Sequence, residues 1–255
     1  MTLPIALLSV VVPVHNEEEN IIPLATEVDA ALKGRLNYEL LFVDDCSSDT
    51  TADRLCLAAA ANPRVRVVTH SGQSGQSAAI ISGVRRAQGE WIVTLDGDQQ
   101  NDPADIITLV NQLNIPSTPD NTALIIGHRR KRRDTWLKRV SSRIANSIRQ
   151  RLLHDLTPDS GCGLKLFPRQ LFLELPAFDH MHRFLAALIV RHGGGVVSVE
   201  VNHRPRVAGR SHYGLNNRLW TGVIDLLGVI WLQHRWSLPD VSEEPAVSES
   251  PDQKN

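Results

Sequence analysis

The chain has 255 residues, of which 42% are hydrophobic and 22% charged, and its formal net charge at pH 7 is −1. This composition is typical of a soluble globular protein and excludes a disordered, collagen-like or coiled-coil chain as a whole. The charge is unevenly distributed, since residues 1–127 carry 16 acidic and 7 basic side chains whereas residues 128–255 carry 12 and 20. The two halves are therefore predicted to face different ligands.

The cysteine pattern and the apolar runs indicate the compartment. Three cysteines occur without a C-x-x-C pair, which predicts neither a disulfide framework nor a zinc ribbon and fits a reducing cytoplasm. Residues 1–13 lack a basic start and a small-residue cleavage site, so they are interpreted as containing a core strand rather than a signal peptide. The apolar run 219–232 has 14 residues and includes Asp225, whereas a transmembrane helix needs about 20. No transmembrane helix is predicted.

Short β-rich runs alternate with longer helical stretches in the first half. The predicted strands are residues 7–12, 40–43, 65–68, 91–95 and 124–126, and the predicted helices are residues 18–32, 50–61, 75–87 and 104–113. This alternation is typical of βαβ units and a largely parallel sheet. Asp49 and Ser74 are the expected N-caps of two helices, and Pro103 is expected in a first turn.

The second half is less regular and strongly basic. A basic helix is predicted at 136–153, a turn at 157–163 followed by a short strand, a helix at 183–192 and a strand at 196–201. Residues 129–151 hold ten Lys or Arg and one acidic residue. This run is either a solvated face or a surface for anionic lipid headgroups. Nucleic-acid binding is disfavoured because neither a pattern of interleaved aromatic residues nor a reading-helix pattern accompanies the run.

The last part of the chain combines an apolar helix with a polar tail. Residues 214–236 are predicted to be an interfacial amphipathic helix, since Trp220, Ile224, Leu227, Ile230 and Trp231 fall near one face, or equally a helix that packs on the core. Residues 237–255, rich in Pro, Ser and Glu, are predicted to be a disordered tail.

Polar residues follow each of the first four predicted strands, at 13–17, 44–49, 70–75 and 96–100. Ligands bind at the carboxyl ends of the strands in an open parallel sheet, so these positions predict a site. Asp96 and Asp98 can converge on one hard cation, although D-G-D is also a common turn. Asp44 and Asp45 can accept hydrogen bonds from a nucleobase or ribose, or cap the next helix. Residues 72–75 lack the glycine spacings of dinucleotide-binding and P-loop proteins.

Six segments, in this order along the chain, carry a family resemblance. They are V-V-V-P-V-H-N-E-E (10–18), F-V-D-D-C-S-S-D-T-T (42–51), L-D-G-D-Q-Q-N-D-P (95–103), G-H-R (127–129), D-S-G-C-G-L-K (159–165) and H-R-P-R-V-A-G-R-S-H-Y (203–213). Together they resemble the family 2 glycosyltransferases, and within them the dolichyl-phosphate mannosyltransferase-like, or polyprenyl-phosphate glycosyltransferase, branch. The similarity covers residues 8–213.

The resemblance implies an α/β GT-A fold, in which helices flank a Rossmann-like, mostly parallel sheet and a C-terminal subregion serves the acceptor. The implied domain is residues 1–213, with a nucleotide-sugar half at 1–127 and an acceptor half at 128–213. The implied nucleotide-sugar residues are Pro13, His15, Glu17, Asp44, Asp45, Asp96 and Gln100. The implied metal ligands are Asp96, Asp98 and Gln100, and the implied catalytic residues are Asp98, Arg129 and Arg206. The implied acceptor-phosphate residues are Arg206, Ser211, His212 and Tyr213.

Two positions depart from the family pattern. Cys46 stands where relatives often have glycine, and His212 where they often have lysine. Because histidine titrates near neutrality, a permanent positive charge at residue 212 is in doubt.

The predicted activity is inverting transfer of a sugar from a GDP- or UDP-sugar to a polyprenyl phosphate, with Mg²⁺ or Mn²⁺ as cofactor. A lipid phosphate is already anionic and needs cationic positioning rather than a general base, and Arg204, Arg206 and Arg210 lie close together in the sequence. A saccharide hydroxyl acceptor, with Asp159 or Asp179 as base, remains an alternative. A catalytically silent, membrane-recruited scaffold is a second alternative, whereas a pyrophosphorylase is disfavoured because residues 12–16 contain no glycine-rich loop.

The expected partners follow from this activity. They are the nucleotide-sugar, the polyprenyl phosphate and an anionic membrane surface, with a small membrane subunit left open and nucleic acid not expected. The protein is expected to be cytoplasmic and peripheral on the cytoplasmic face of the membrane.

Overall fold

The structure, a computed structural model, describes residues 5–129, 150–153, 155, 157–205 and 217–235, and of residues 217–221 only the backbone. Several predictions lie outside the described residues. They are the acceptor residues Arg206, Ser211, His212 and Tyr213, most of the basic helix, and the tail at 237–255.

Seven strands form one sheet. They are β1 (Leu8–Val14), β2 (Tyr38–Asp44), β3 (Val65–Thr69), β4 (Trp91–Thr94), β5 (Thr122–Arg129), β6 (Lys165–Pro168) and β7 (Gly195–Val201). Their order across the sheet is β3-β2-β1-β4-β6-β5-β7. Neighbouring strands are parallel except that β6 runs antiparallel to both β4 and β5. The predicted mostly parallel sheet is confirmed.

Helices connect the strands, and all of those given names here except α5 were predicted from the sequence. They are α1 (Ile21–Leu32), α2 (Thr51–Ala61), α3 (Gln76–Arg86), α4 (Asp105–Gln112), α5 (Arg169–Glu174), α6 (Leu185–Arg191) and α7 (Asn217–His234), with a 3₁₀ turn at Met181–Arg183. Residues 150–153 are also helical.

The predicted helix starts need three corrections. Thr50, not Asp49, is the N-cap of α2, and the Asp49 carboxylate instead accepts the N–H of Thr51 at 3.0 Å. Gly75, not Ser74, is the N-cap of α3, with a φ of 88° that glycine adopts without strain. Pro103 precedes α4, which begins at Asp105. Each shift moves a start by only one or two residues, because local spacing does not define where helical hydrogen bonding begins.

The central strands are buried on both sides of the sheet. Val10, Val12 and Phe42 pack in one apolar cluster, while Val11 and Val43 pack in another on the opposite face. Strands that are apolar at successive positions are typical of such two-sided burial. The first cluster includes residues of α1, α2 and α4, and the second includes residues of α3, α5 and α6.

The strand order reverses between β1 and β4. From β1 the chain moves outward through β2 and β3 on one side, and it then returns to place β4 on the other side of β1. In open α/β sheets, ligands bind outside the carboxyl ends of the strands at such a reversal. The polar loops that follow β1, β2 and β4 therefore meet where a ligand site is expected.

Helix α7 packs on the body of the protein with one of its sides. Val229 is fully buried in a cluster with Leu153, Phe184 and Ala187. This side of α7 fits the core-packing interpretation of the sequence. Among the residues that the structure describes, no helix has the length and apolar character to cross a membrane.

Candidate functional site

The loops after β1 and β2 are bonded to one another. Asp44 is buried at the end of β2. Ser47 donates two hydrogen bonds to Asp44 Oδ1, from its backbone N–H at 3.0 Å and from its hydroxyl at 2.5 Å. His15 Nδ1 donates to the carbonyl oxygen of Asp45 at 2.9 Å. The Asp44 carboxylate thus bonds to Ser47, before the helix, whereas it is Asp49 that accepts the N–H of Thr51, the first residue of α2. These contacts hold the loops side by side at the strand reversal.

Asp45 organises the loop between β3 and α3. Its Oδ1 accepts His70 Nδ1–H and the N–H of Ser74, both at 2.8 Å, and its Oδ2 accepts the N–H of Gly75 at 2.7 Å. Burial alone would raise the pKa of Asp45, but these hydrogen bonds outweigh it and hold the pKa below its ordinary value. The carboxylate therefore orders the start of α3, and a contact of Asp45 with a nucleotide stays a prediction.

Asp96 follows β4 and lies in a confined space. Gln76 Nε2 donates to its Oδ1 at 2.9 Å, and a Cβ built on Gly163 would stand 2.1 Å from its Oδ2. Burial, and then repulsion from Asp98, raises the pKa of Asp96 to about 6, although Lys165 and other nearby groups oppose the shift. The carboxylate thus lies where its negative charge is poorly compensated.

The turn that carries Asp98 lies directly against the end of β1. A Cβ on Gly97 would stand 2.7 Å from Val14 Cγ1 and 3.2 Å from the Pro13 carbonyl oxygen, so only glycine fits without a shift. The Oδ1 of half-buried Asp98 accepts the N–H of Gln100 at 3.2 Å. The D-G-D sequence therefore forms the turn that its alternative interpretation suggested, and it also places two repelling carboxylates at the strand reversal.

The residues at this turn fit a divalent cation whose coordination is completed by a ligand. The described residues contain no group of three or more His, Cys, Asp or Glu side chains arranged to hold a metal alone. Mg²⁺ is usually bound by one or two carboxylates together with substrate phosphates and water. The raised pKa of Asp96 beside Asp98 is the unfavourable charge pairing that such a cation would relieve.

Two cations, Lys165 and Arg129, lie close enough to Asp96 to lower its pKa against the effect of burial. Arg129, at the end of β5, forms a bidentate ion pair with Asp159. Its Nε lies 2.6 Å from Oδ2 and its Nη2 lies 2.7 Å from Oδ1. Burial lowers the pKa of Arg129, but Asp159 outweighs it and holds the pKa above its ordinary value. Lys165 of β6 is buried, which lowers its pKa against the attraction of Cys162, Asp96 and Asp159. The site therefore combines carboxylates with a buried lysine and a half-buried arginine.

Other predicted residues lie nearby with partners of their own. Glu17 Oε2 accepts Asn20 Nδ2 at 2.5 Å, and the carbonyl oxygen of half-buried Gln100 accepts the N–H of Arg204 at 2.9 Å. The Arg204 guanidinium is paired with Glu27 and Asp102, and its expected contact with an acceptor phosphate stays a prediction. Asp179, one of the alternative bases, is exposed.

Two contributors to the site were missed from the sequence. Lys165 is the last residue of the fifth segment, 159–165. A lysine at the start of a predicted short strand could have indicated a buried cation that pairs with nearby acids. Gln76 carried no signal, because it meets Asp96 only when α3 packs against β1 and β2 in the folded sheet.

Comparison with known proteins extends these observations. The family model described as "Glycosyl transferase family 2" matches residues 9–175. Dodecaprenyl-phosphate galacturonate synthase of Rhizobium johnstonii is 32% identical over 91% of this chain and 69% of its own length. Undecaprenyl-phosphate 4-deoxy-4-formamido-L-arabinose transferase of Serratia proteamaculans is 34% identical over 83% of this chain, which spans only 64% of that relative.

Solved structures show the same fold at low sequence identity. Glucosyl-3-phosphoglycerate synthase from Mycobacterium tuberculosis, in complex with Mn²⁺, UDP and glucosyl-3-phosphoglycerate, has a TM-score of 0.68 at 20% identity, over 89% of this chain and 80% of that one. Mannosyl-3-phosphoglycerate synthase from Rubrobacter xylanophilus has a TM-score of 0.70 at 16% identity, over 94% and 79%. Both are GT-A glycosyltransferases, so the predicted fold class is confirmed. The match of the family model and the identity to these relatives show that the chain belongs to glycosyl transferase family 2, as its six segments predicted.

Proposed function

We propose that the chain transfers a sugar from a nucleotide-sugar to a polyprenyl phosphate, with inversion at the anomeric carbon. In this reaction the bond from the anomeric carbon to the diphosphate oxygen breaks, and a phosphate oxygen of the acceptor forms a bond to that carbon. The nucleoside diphosphate leaves with the electron pair. The observation that carries the proposal is the pair of repelling carboxylates, Asp96 and Asp98, at the strand reversal. The two relatives named for dodecaprenyl and undecaprenyl phosphate support this acceptor class.

The donor would bind at the carboxyl ends of β1, β2 and β4. Asp96, Asp98 and Gln100 would hold Mg²⁺ or Mn²⁺, which supplies charge compensation for the leaving diphosphate. Buried Lys165 and half-buried Arg129 lie near Asp96 and would add positive potential where negative charge develops. The hydrogen bonds of Asp44 and His15 hold the loops after β1 and β2 in place, and these loops would contact the donor.

A phosphate acceptor fits the surroundings better than a hydroxyl acceptor. A hydroxyl needs a general base, but both oxygens of Asp159 are engaged by the Arg129 guanidinium. A carboxylate bonded in this way is a poor proton acceptor because the ion pair favours its ionised form. An acceptor phosphate needs no base, and the excess of basic residues in the second half of the chain supplies cations to attract it.

The outer side of α7 supports contact with a membrane. Val223, Ile224, Leu227 and Trp231 are 41%, 67%, 61% and 60% exposed, and they form one apolar stripe along the helix. The opposite side packs on the protein through buried Val229, and there Asp225 Oδ2 lies 3.0 Å from His180 Nδ1. Exposed patches of large apolar residues mark interaction surfaces, and one that carries tryptophan suits the interface of a bilayer.

The same region carries positive charge. Gln233 of α7 donates to the Leu153 carbonyl oxygen at 3.0 Å, so residues 150–153 lie beside α7 at the end of the basic run. Arg151 is exposed there. The apolar stripe and the cations together suit binding to a membrane leaflet with anionic lipids. Each cation near such a surface adds about 1 kcal/mol of attraction.

The test is transfer of labelled sugar from a panel of UDP- and GDP-sugars into a lipid-extractable product, with polyprenyl phosphate and Mg²⁺ or Mn²⁺. Asp98→Asn is expected to abolish product, whereas the matched control Asp53→Asn, at an exposed acid in the first turn of α2, is expected to retain it. Equal activity of wild type and Asp98→Asn would refute the metal site. Transfer only to a saccharide hydroxyl would refute the acceptor, and activity restored only by added membranes would indicate a membrane subunit.

A further inference from the structure

Arg204, which follows β7, joins three parts of the molecule. Its Nη1 donates to Glu27 Oε2 of α1 at 2.6 Å, and its Nη2 lies 2.9 Å from Asp102 Oδ1. Its backbone N–H donates to the Gln100 carbonyl oxygen at 2.9 Å. The Glu27 and Arg204 side chains are 38% and 37% exposed, while that of Asp102 is 17% exposed. A single guanidinium therefore bridges a helix and the loop that carries the candidate metal ligands.

Neighbours of Arg204 extend this contact along the chain. We call residues 98–102 the metal loop and residues 202–205 the exit segment. His203 pairs with Asn101 in an antiparallel bridge. Asn202 donates its N–H to Asp105 Oδ2 at 2.7 Å and its side-chain amide to Asp105 Oδ1 at 3.3 Å. The exit segment thus contacts the metal loop and the start of α4 over several consecutive residues.

The metal loop needs such external support. Gln99 has a φ of 58°, in the left-handed region that non-glycine residues rarely adopt. A strained residue persists only where its surroundings hold it in place. The bond from the Gln100 N–H to Asp98 is local and long, at 3.2 Å, whereas the bonds from the exit segment come from a strand at the far edge of the sheet.

We propose that Arg204 is a positioning residue, which holds the metal loop in the geometry that lets Asp98 and Gln100 serve a divalent cation. The inference rests on the proposed function, since it concerns the same metal site. Groups that orient metal ligands from outside the coordination sphere change metal affinity by about 10- to 100-fold when they are removed. Arginine suits the task because its planar fork reaches two carboxylates at once, whereas a lysine ammonium is a single point charge.

The alternative is that Arg204 forms ordinary surface ion pairs, which contribute little and leave the site unaffected. The two cases differ in metal affinity, not in stability. Lys33 supplies a matched control, because its Nζ lies 3.6 Å from Asp29 Oδ2 in an exposed ion pair at the end of α1. Removing either cation deletes one positive charge near the same helix.

The experiment measures the Mn²⁺ dissociation constant of the full chain by electron paramagnetic resonance, with UDP and separately with GDP present. Arg204→Met is expected to weaken Mn²⁺ binding about tenfold, and Arg204→Lys to lie between it and the wild type. Lys33→Met is expected to bind Mn²⁺ as the wild type does. Glu27→Gln, which removes one of the two carboxylates paired with Arg204, is expected to weaken binding by less than Arg204→Met does, and it is the test variant if Arg204→Met does not fold.

Three results would overturn the inference. The first is that folded Arg204→Met binds Mn²⁺ as tightly as the wild type or, if that variant does not fold, that Glu27→Gln does. The second is that Lys33→Met loses as much Mn²⁺ affinity as Arg204→Met. The third is a wild-type chain that binds no Mn²⁺ with either nucleotide, which would also remove the metal site from the proposed function. Failure of Arg204 alone leaves sugar transfer and its dependence on Asp98 intact, so the two failures are distinguishable.

Discussion

Replacing Asp96 by asparagine is expected to stabilise the metal-free protein at neutral and alkaline pH. The pKa of this carboxyl rises from 3.8 to about 6 on folding, a shift of about 2 units, and each unit corresponds to about 1.4 kcal/mol. Ionised Asp96 therefore costs the folded state about 3 kcal/mol at pH 8. Asparagine has nearly the same shape and retains an oxygen to accept the hydrogen bond of Gln76, but it carries no charge.

The pH dependence gives the sign of the effect. The folded-state pKa is raised, so the carboxyl favours folding below the unfolded pKa near 4, and this contribution is lost as the pH rises through about 6. The advantage of Asp96→Asn over wild type should thus fall from about 3 kcal/mol at pH 8 to about half of that at pH 5.

Urea unfolding in the presence of EDTA, at pH 8 and pH 5, measures this advantage. The control is Asp53→Asn, which alters an exposed acid and should change stability by less than about 0.5 kcal/mol. An Asp96→Asn protein that is less stable than wild type at pH 8, or whose gain is equal at both pH values, would refute the reasoning. Addition of Mn²⁺ and UDP should reverse the order, because the cation would stabilise only the wild type.

Three further predictions test other parts of the molecule. Gly163→Ala is expected to displace the Asp96 carboxylate and to weaken Mn²⁺ binding more than tenfold, as measured by electron paramagnetic resonance; unchanged affinity would contradict the close approach. The pKa of Glu39 is held below its ordinary value, since its hydrogen bonds outweigh burial. Glu39→Gln should therefore cost about 1–3 kcal/mol at pH 7, with a smaller loss as the pH falls below about 4.5 in urea unfolding; a loss that grows with acid would contradict it. Leu227→Glu is expected to reduce co-sedimentation with anionic liposomes several-fold, whereas Leu57→Glu, at an equally exposed leucine of α2, should not; equal effects would exclude α7 as the membrane face.

The order of strands and helices and the edge that bears the site could be predicted from the sequence. Alternating short apolar runs and helical stretches indicate βαβ units, and parallel strands bring their carboxyl ends to one edge of a sheet. For that reason the polar residues after β1, β2 and β4, among them His15, Asp45 and Asp96, were expected near one another. Family membership was also accessible from the sequence, because the segments around these residues keep a specific order.

What each polar group bonds to was decided only by the tertiary structure. Gln76 meets Asp96, Arg129 meets Asp159 and Arg204 meets Glu27 across separations of 20, 30 and 177 residues, and no local pattern encodes such pairs.

The orientation of α7 was likewise decided only by the tertiary structure. Periodicity predicts an apolar helix with more than one candidate core face, and packing against α6 buries Val229 while it leaves Leu227 exposed. The physical reason is that periodicity and turn chemistry act within a few residues, whereas charge pairing and burial depend on which elements the completed sheet brings together.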